Sequence, residues 1–220
     1  MVKIENLTFG YKKNKPVLEN VNLNLRKGYI HGLLGKNGIG KTTLLKLISG
    51  LLFPDKGEIK VGEFVPSQRK VAFLYDTFFL SEDLYESRLT IEKFCKVNSV
   101  FYPKFSASDF ENFLKDFDIE DTKQRLDKLS YGTRKKVLIA FGLACHCKLM
   151  LLDEPTNGLD PIGIQQIRLL IKKLSVEQGV TILISSHILS EIEQMADKVG
   201  IIDHGVLVEE LTMDEIRHRN

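Results

Sequence analysis
The spacing of apolar residues changes several times along the chain, and each change marks a new element. Val2 to Phe9 and Val17 to Leu25 read as two strands. In the second, Val21, Leu23 and Leu25 alternate with Asn20, Asn22 and Asn24 at period two, the pattern of an antiparallel sheet with one face in water. Tyr29 to Leu34 is a short apolar run ending in a glycine-rich turn, and Lys41 to Ile48 behind it has helical spacing, so this segment predicts strand, loop and helix. Gly57 to Val61 and Lys70 to Leu74 read as further strands. From Ser81 to Lys128 the sequence turns polar and amphipathic, with a break at Tyr102-Pro103, and predicts an inserted helical lobe bounded, with its flanks, by residues 77–147.

Beyond the lobe, Ser130 opens a helix through Cys145, Leu149 to Leu152 is a buried strand, Pro161 to Val176 a helix and Val180 to Ser185 another strand. This alternation predicts a parallel α/β core within a single domain over residues 1–220. Val199 to Asp203 and Val206 to Glu209 read as a hairpin turning at His204-Gly205, followed by a short polar helix, Met213 to Arg219. An apolar share of 43% and a charged share of 27% suit one globular unit. With 31 Lys plus Arg against 29 Asp plus Glu, the net charge of +2 supplies no global basic field of the kind that draws nucleic acid. Cys95, Cys145 and Cys147 make an odd set without disulfide-like spacing and point to a reducing compartment. Residues Cys145-His146-Cys147 do not read as a metal site, because positions two apart on a helix face away from each other. The start, Met1-Val2-Lys3-Ile4-Glu5, lacks the apolar stretch of a secretory signal. The most apolar window, Leu44 to Phe53, is interrupted by Lys46, Ser49 and Gly50 and falls short of the roughly 20 residues of a membrane span. Any membrane role is therefore expected to run through a partner.

Chemistry concentrates in two places. Gly35-Lys36-Asn37-Gly38-Ile39-Gly40-Lys41-Thr42, with Thr43 behind it, fits G-x-x-x-x-G-K-[ST] and lies between a predicted strand and a predicted helix, the setting such a loop requires. Glycines let successive backbone N–H groups turn inward around a β-phosphate, the helix start adds its dipole, Lys41 brings a cation to the β and γ oxygens, and Thr42 offers a hydroxyl to Mg²⁺. The expected ligand is a nucleoside triphosphate, ATP. The second place is Leu149-Met150-Leu151-Leu152-Asp153-Glu154, an apolar strand ending in two acids. Asp153 is expected to hold Mg²⁺ and Glu154 to act as general base toward the attacking water.

Between these motifs, Leu129-Ser130-Tyr131-Gly132-Thr133-Arg134-Lys135-Lys136 resembles the LSGGQ signature of ATP-binding cassette (ABC) ATPases. The resemblance extends over nearly the whole chain. Tyr11 occupies the place of the family's adenine-stacking aromatic, with Val17 beside it. Pro155-Thr156-Asn157-Gly158-Leu159-Asp160 looks like the segment that crosses a dimer interface, and His187 matches the switch histidine. The resemblance implies an α/β P-loop NTPase with a RecA-like parallel core, an N-terminal antiparallel β lobe and the inserted helical lobe. It also implies a head-to-tail dimer, expected to be a homodimer, in which Ser130 and Gly132 meet the γ-phosphate held by the other copy. Asp160 is counted with that nucleotide site, and Lys41, Glu154 and His187 with the catalytic set.

The implied role is ATP hydrolysis driving transport, of exporter type, at the cytoplasmic face of a membrane. Separate membrane-spanning subunits are expected to dock on the helical lobe and a groove near Asp76, with no direct nucleic-acid contact. A soluble ABC protein acting on nucleic acid or ribosomes is the alternative, disfavoured because the chain carries no long coiled-coil insertion, second cassette or basic arm. A P-loop kinase or GTPase is disfavoured because the signature and His187 would have no role in it. Two departures stand out. Where the family has a glutamine after a strand, this chain is expected to place Asp76, a metal ligand or the partner of a metal-bound water; Gln68 precedes that strand. The signature carries Tyr131 for its first glycine and Thr133 for its glutamine, and Arg134, Lys135 and Lys136 are expected to form a solvated face near the dimer seam.

Overall fold
The computed structural model describes residues 1–84 and 86–218. Its N-terminal strands β1 (Val2–Phe9) and β2 (Leu18–Leu25) are antiparallel, and β4 (Lys56–Val61) completes a three-stranded sheet in the order β2-β1-β4. The period-two pattern is realised: Leu18, Val21, Leu23 and Leu25 turn inward and the asparagines between them outward. Asn6 (φ 49°) and Asn20 (φ 51°) sit where the β1–β2 register shifts, and asparagine tolerates the left-handed backbone of such irregularities better than most residues.

A six-stranded sheet forms the core. Its strands are β3 (Ile30–Leu34), β5 (Thr77–Leu80), β6 (Leu149–Asp153), β7 (Thr181–Ser186), β8 (Lys198–Asp203) and β9 (Val206–Thr212), in the order β5-β6-β7-β3-β8-β9. All pairs are parallel except β8–β9, the hairpin the sequence predicts. Helices cover both faces, which is why β6 reads as an unbroken apolar run. Leu149 and Leu151 pack toward helix α1 (Lys41–Ile48) and the three-stranded sheet. Met150 and Leu152 pack toward α5 (Tyr131–Ala144), α6 (Pro161–Gln178) and α7 (Leu189–Met195).

Helices α3 (Ile91–Ser99) and α4 (Ala107–Asp116) build the lobe between β5 and α5. The ring of Phe141 on α5 anchors them, with the rings of Phe94, Tyr102, Phe105 and Phe110 centred 5.2–6.1 Å from it. One strand expectation is wrong. Residues 70–74 do not form a strand; Val71–Tyr75 is a short helix, α2, that wedges Phe73 under α1, and the strand is the next apolar run, Thr77–Leu80. Short apolar runs carry no periodicity that separates helix from strand, and here pairing with β6 decides. The closing helix α8 (Met213–Arg217) has a capping box between Thr212 and Glu215, and Arg219 of the predicted helix lies outside the described residues. Among the described residues no helix is long and apolar enough to cross a membrane.

Candidate functional site
Strands β6, β7 and β3 are neighbours in the sheet, and their carboxyl ends deliver the phosphate loop, Glu154 and His187 to one place, as parallel sheets position their sites. Ser185 pairs with both Asp153 and Leu33, and the Gly35 N–H donates to the Ser186 carbonyl at 3.2 Å, so the three exits are in register. The loop wraps the Lys41 ammonium, which donates to the Gly35 carbonyl at 2.6 Å, the Lys36 carbonyl at 3.2 Å and Asn37 Oδ1 at 3.4 Å. Gly40 turns the chain into α1 at φ 114°, a conformation closed to L side chains, and a Cβ there would lie 2.8 Å from Leu18. No side chain caps α1, and its first turn holds no acid, so its free N–H groups and positive dipole end face the loop.

A cavity of about 350 Å³ opens over this loop, lined by Tyr11, Val17, Asn37, Gly38, Gly40, Lys41, Thr42, Thr43, Glu82, Asp153 and Glu154. Tyr11 stands edge-on to Phe9, ring centroids 5.1 Å apart, and its hydroxyl lies 3.2 Å from that of Thr43. It remains 59% exposed, a free aromatic face at the mouth. Ile39 turns instead toward the core.

The acids are buried and held from several sides. Thr42 donates to Asp153 Oδ2 at 2.7 Å and Ser185 to Asp153 Oδ1 at 2.5 Å. Glu154 leaves the strand in the left-handed region, φ 47°, with its N–H bonded to the Ser185 carbonyl at 3.2 Å and hydroxyl at 3.0 Å. That twist lets two consecutive residues reach one cavity. His187 Nδ1 lies 3.0 Å from Glu154 Oε2, and the Lys41 ammonium 3.2 Å from Oε1. Oε1 is buried and accepts no directional hydrogen bond, with the Lys41 ammonium as a charge beside it.

Ser130, Gly132 and Asp160 lie elsewhere, with Tyr131, Thr133, Lys136, Gly158 and Leu159, around a second cavity of about 380 Å³. Ser130 caps α5 by accepting from Thr133 N–H at 3.1 Å, and Thr133's own hydroxyl lies 2.8 Å from it. Asp160 caps α6, accepting from Gly163 N–H at 2.9 Å, with Lys136 3.8 Å away. The chain thus brings together the phosphate loop, Asp153, Glu154 and His187, and places Ser130, Gly132 and Asp160 around a different cavity.

Two expectations are corrected. Asp76 is not placed beside Thr42 and Asp153: it precedes β5, and its carbonyl accepts from Leu149 N–H at the start of β6, whereas Asp153 ends β6. Four residues of strand separate those ends, about 13 Å at ~3.3 Å per residue. Its carboxylate pairs with Lys104 at 2.5 Å and Lys148 at 2.6 Å. Burial pushes this carboxyl up, but the two ammoniums outweigh it and leave the pKa below its ordinary value. The residue after β5 that does line the cavity is Glu82. Sequence reading missed it because the wrong apolar run was taken as the strand; the signal was Phe78-Phe79-Leu80 ending in Ser81-Glu82, as β6 ends in Asp153-Glu154. The basic run is not a solvated face either: Lys135 is fully buried and Arg134 nearly so. Burial pulls the Lys135 ammonium down to about 8, against the pull of Glu82 and Glu154.

The sequence profile of the family described as ABC transporter matches residues 18–157. The chain belongs to this family. It is similar to the bacitracin transport ATP-binding protein of Bacillus licheniformis, 38% identical over all of this chain and 72% of that one. It is also similar to a lantibiotic transport ATP-binding protein of Streptococcus pyogenes, 36% identical over 97% of this chain and 92% of that one. Among solved structures it resembles an ATP-binding cassette in a dimeric, post-hydrolysis state bound to ADP and phosphate, with TM-score 0.86, 26% identity and coverage of 97% and 99%. It resembles an ATP-binding subunit of an ABC transporter with TM-score 0.88, 28% identity and coverage of 100% and 92%. This ABC protein is an ATP hydrolase, the ATP-binding subunit of a transporter.

Proposed function
We propose that two copies of this chain close head to tail on ATP and drive export through separate membrane subunits at the cytoplasmic face. The observation that carries the dimer is the division of the site. Lys41 and Glu154, with His187 bonded to Glu154, gather at one cavity, while Ser130, Gly132 and Asp160 line another, so that one copy's Ser130 and Gly132 are free to cover another's nucleotide. Tyr11 and Val17 receive the adenine end, and the loop from Gly35 to Thr42, with Thr43, receives the phosphates. Lys41 neutralises charge on the β and γ oxygens. The Glu154 carboxylate takes a proton from water as the water oxygen attacks the γ-phosphorus and the bond to the bridging oxygen breaks, its electron pair leaving with ADP. His187 orients Glu154 and reaches toward the γ-phosphate.

Thr42, Asp153 and Glu82 supply the oxygen-only donor set that suits Mg²⁺, which keeps several waters and phosphate oxygens of its own. Bound there, Mg²⁺ supplies charge to offset that of the phosphates. The lobe spanning residues 77–147 and the apolar groove of about 500 Å³ beside it, lined by Leu51, Val71, Leu74, Tyr75 and Phe101, support docking of a membrane subunit. The names of the relatives support a cargo class: bacitracin, a lantibiotic and, in Streptomyces coeruleorubidus, daunorubicin resistance. We take an antimicrobial compound as the exported cargo.

In Glu154→Gln, ATP is expected to bind and hold the dimer while turnover falls by about 100- to 10,000-fold. Near-normal turnover overturns the base assignment. Isolation of the chain from its native membrane is expected to bring an integral membrane subunit with it; ribosomes or nucleic acid instead would overturn the transport reading.

A further inference from the structure
Among the described residues Lys135 is the largest charged side chain that is wholly buried, and none of the steps above uses it. Its ammonium leaves the second turn of α5 and donates to two backbone carbonyls, Glu154 O and Asn157 O, each at 2.8 Å, while the ring of Tyr131 lies 4.8 Å away. Those carbonyls are the two ends of the turn that follows β6, and Asn157 N–H closes the same turn on Glu154 O at 3.2 Å. One cation therefore clamps the backbone that carries Glu154, at the residue whose left-handed φ of 47° needs support from outside the turn.

The rest of the turn is tied to the cavity wall. Asn157 Nδ2 donates to Glu82 Oε1 at 2.8 Å, and the Tyr131 hydroxyl donates to the Glu82 carbonyl at 2.9 Å. Gly158 adds close approach: at φ 77° it lets the Tyr131 ring sit where a Cβ would be 2.7 Å from it. Tyr131 and Lys135, which looked like a signature departure and a solvated cation, are one arrangement between α5, Glu82 and the turn.

We propose that Lys135 is a positioning residue for hydrolysis, holding residues 154–157 so that the Glu154 carboxylate stays aimed into the phosphate cavity. The proposal rests on Glu154 being the general base. A lysine that served packing alone would affect folding and nucleotide affinity together; a clamp on the base affects the chemical step. The acids that face Lys135, namely Glu82, Asp153, Glu154 and Glu191, keep the ammonium in place without any of them forming an ion pair with it as close as its two carbonyls.

The test is steady-state ATPase activity with, separately, displacement of a fluorescent ATP analogue, on the full chain. Lys135→Met keeps the length of the side chain and removes every donor. It is expected to lower kcat by about 10- to 100-fold, the scale on which a small misplacement of a catalytic group is felt. ATP affinity is expected to stay within about twofold of wild type. Lys135→Gln, whose amide can still donate, is expected to recover part of kcat. Turnover of Lys135→Met within about twofold of wild type overturns the proposal, as does a loss of affinity in step with turnover in both variants. Should Lys135→Met not fold, Lys135→Gln decides alone: reduced kcat at unchanged affinity supports the clamp, and any other outcome overturns it. Glu154→Gln run alongside separates the two claims. If it turns over near-normally the base assignment falls, whereas a silent Glu154→Gln beside wild-type Lys135 variants removes the clamp only.

Discussion

Ser185 belongs to no motif, yet its hydroxyl stands between the two acids of the site, and its removal has a calculable cost. The residue is fully buried in β7 and donates to Asp153 Oδ1 at 2.5 Å while accepting the Glu154 N–H at 3.0 Å. In Ser185→Ala the Glu154 N–H keeps the Ser185 carbonyl at 3.2 Å, and Asp153 keeps the Thr42 hydroxyl on its other oxygen at 2.7 Å. What is lost is one charge-assisted hydrogen bond to a carboxylate with no access to water, about 1.5–3 kcal/mol. One missing oxygen atom leaves a void too small to add much. With a urea slope of about 2–3 kcal/mol/M for a chain of this size, the unfolding midpoint should fall by about 0.5–1.5 M. Circular dichroism in urea, without nucleotide, measures it. A midpoint within about 0.2 M of wild type would refute the reasoning, since it would mean that Asp153 does not need the bond its burial demands.

Other expectations follow from the same geometry. Asp76→Asn should leave the Mg²⁺ dependence of ATPase activity unchanged, whereas Glu82→Ala should raise the Mg²⁺ needed for half-maximal rate by about tenfold; the reverse pattern would restore Asp76 to the metal shell. Asp76 also has a pH signature. Its folded pKa lies below its unfolded value, so its stabilisation is present at neutral pH and is lost as pH falls through the folded pKa. Half-exposed partners limit the effect to under about 1 kcal/mol. The stability difference between wild type and Asp76→Asn in urea should close as pH drops through the carboxylate range, and a difference that widened there would contradict the ion-pair account. Gly40→Ala forces a side chain onto φ 114° and against Leu18, and should cost about 1–3 kcal/mol in thermal unfolding along with measurable ATP binding; intact binding would mean the loop turns elsewhere.

Much of the molecule was legible before any coordinates. Periodicity named most strands, because a strand covered on one face must alternate and one covered on both must not, as β2 and β6 do. Spacing named the phosphate loop, because backbone N–H groups can converge on an anion only where glycines permit the turn. An apolar strand ending in two acids named Glu154, and the family resemblance named His187, whose separation in sequence hides a contact of 3.0 Å.

What the sequence left open was decided by pairing and burial. The strand was expected at 70–74, and hydrogen bonding to β6 places it at 77–80 instead. That choice moved the acid at the cavity from Asp76 to Glu82, since a strand's two ends lie on opposite sides of the sheet. Lys135 shows the same limit, for a run of three basic residues looks solvated until the helix that carries it is packed. Local pattern determines which elements form, because it depends on neighbours in the chain. Which charges meet depends on where those elements end in space, and that belongs to the tertiary structure.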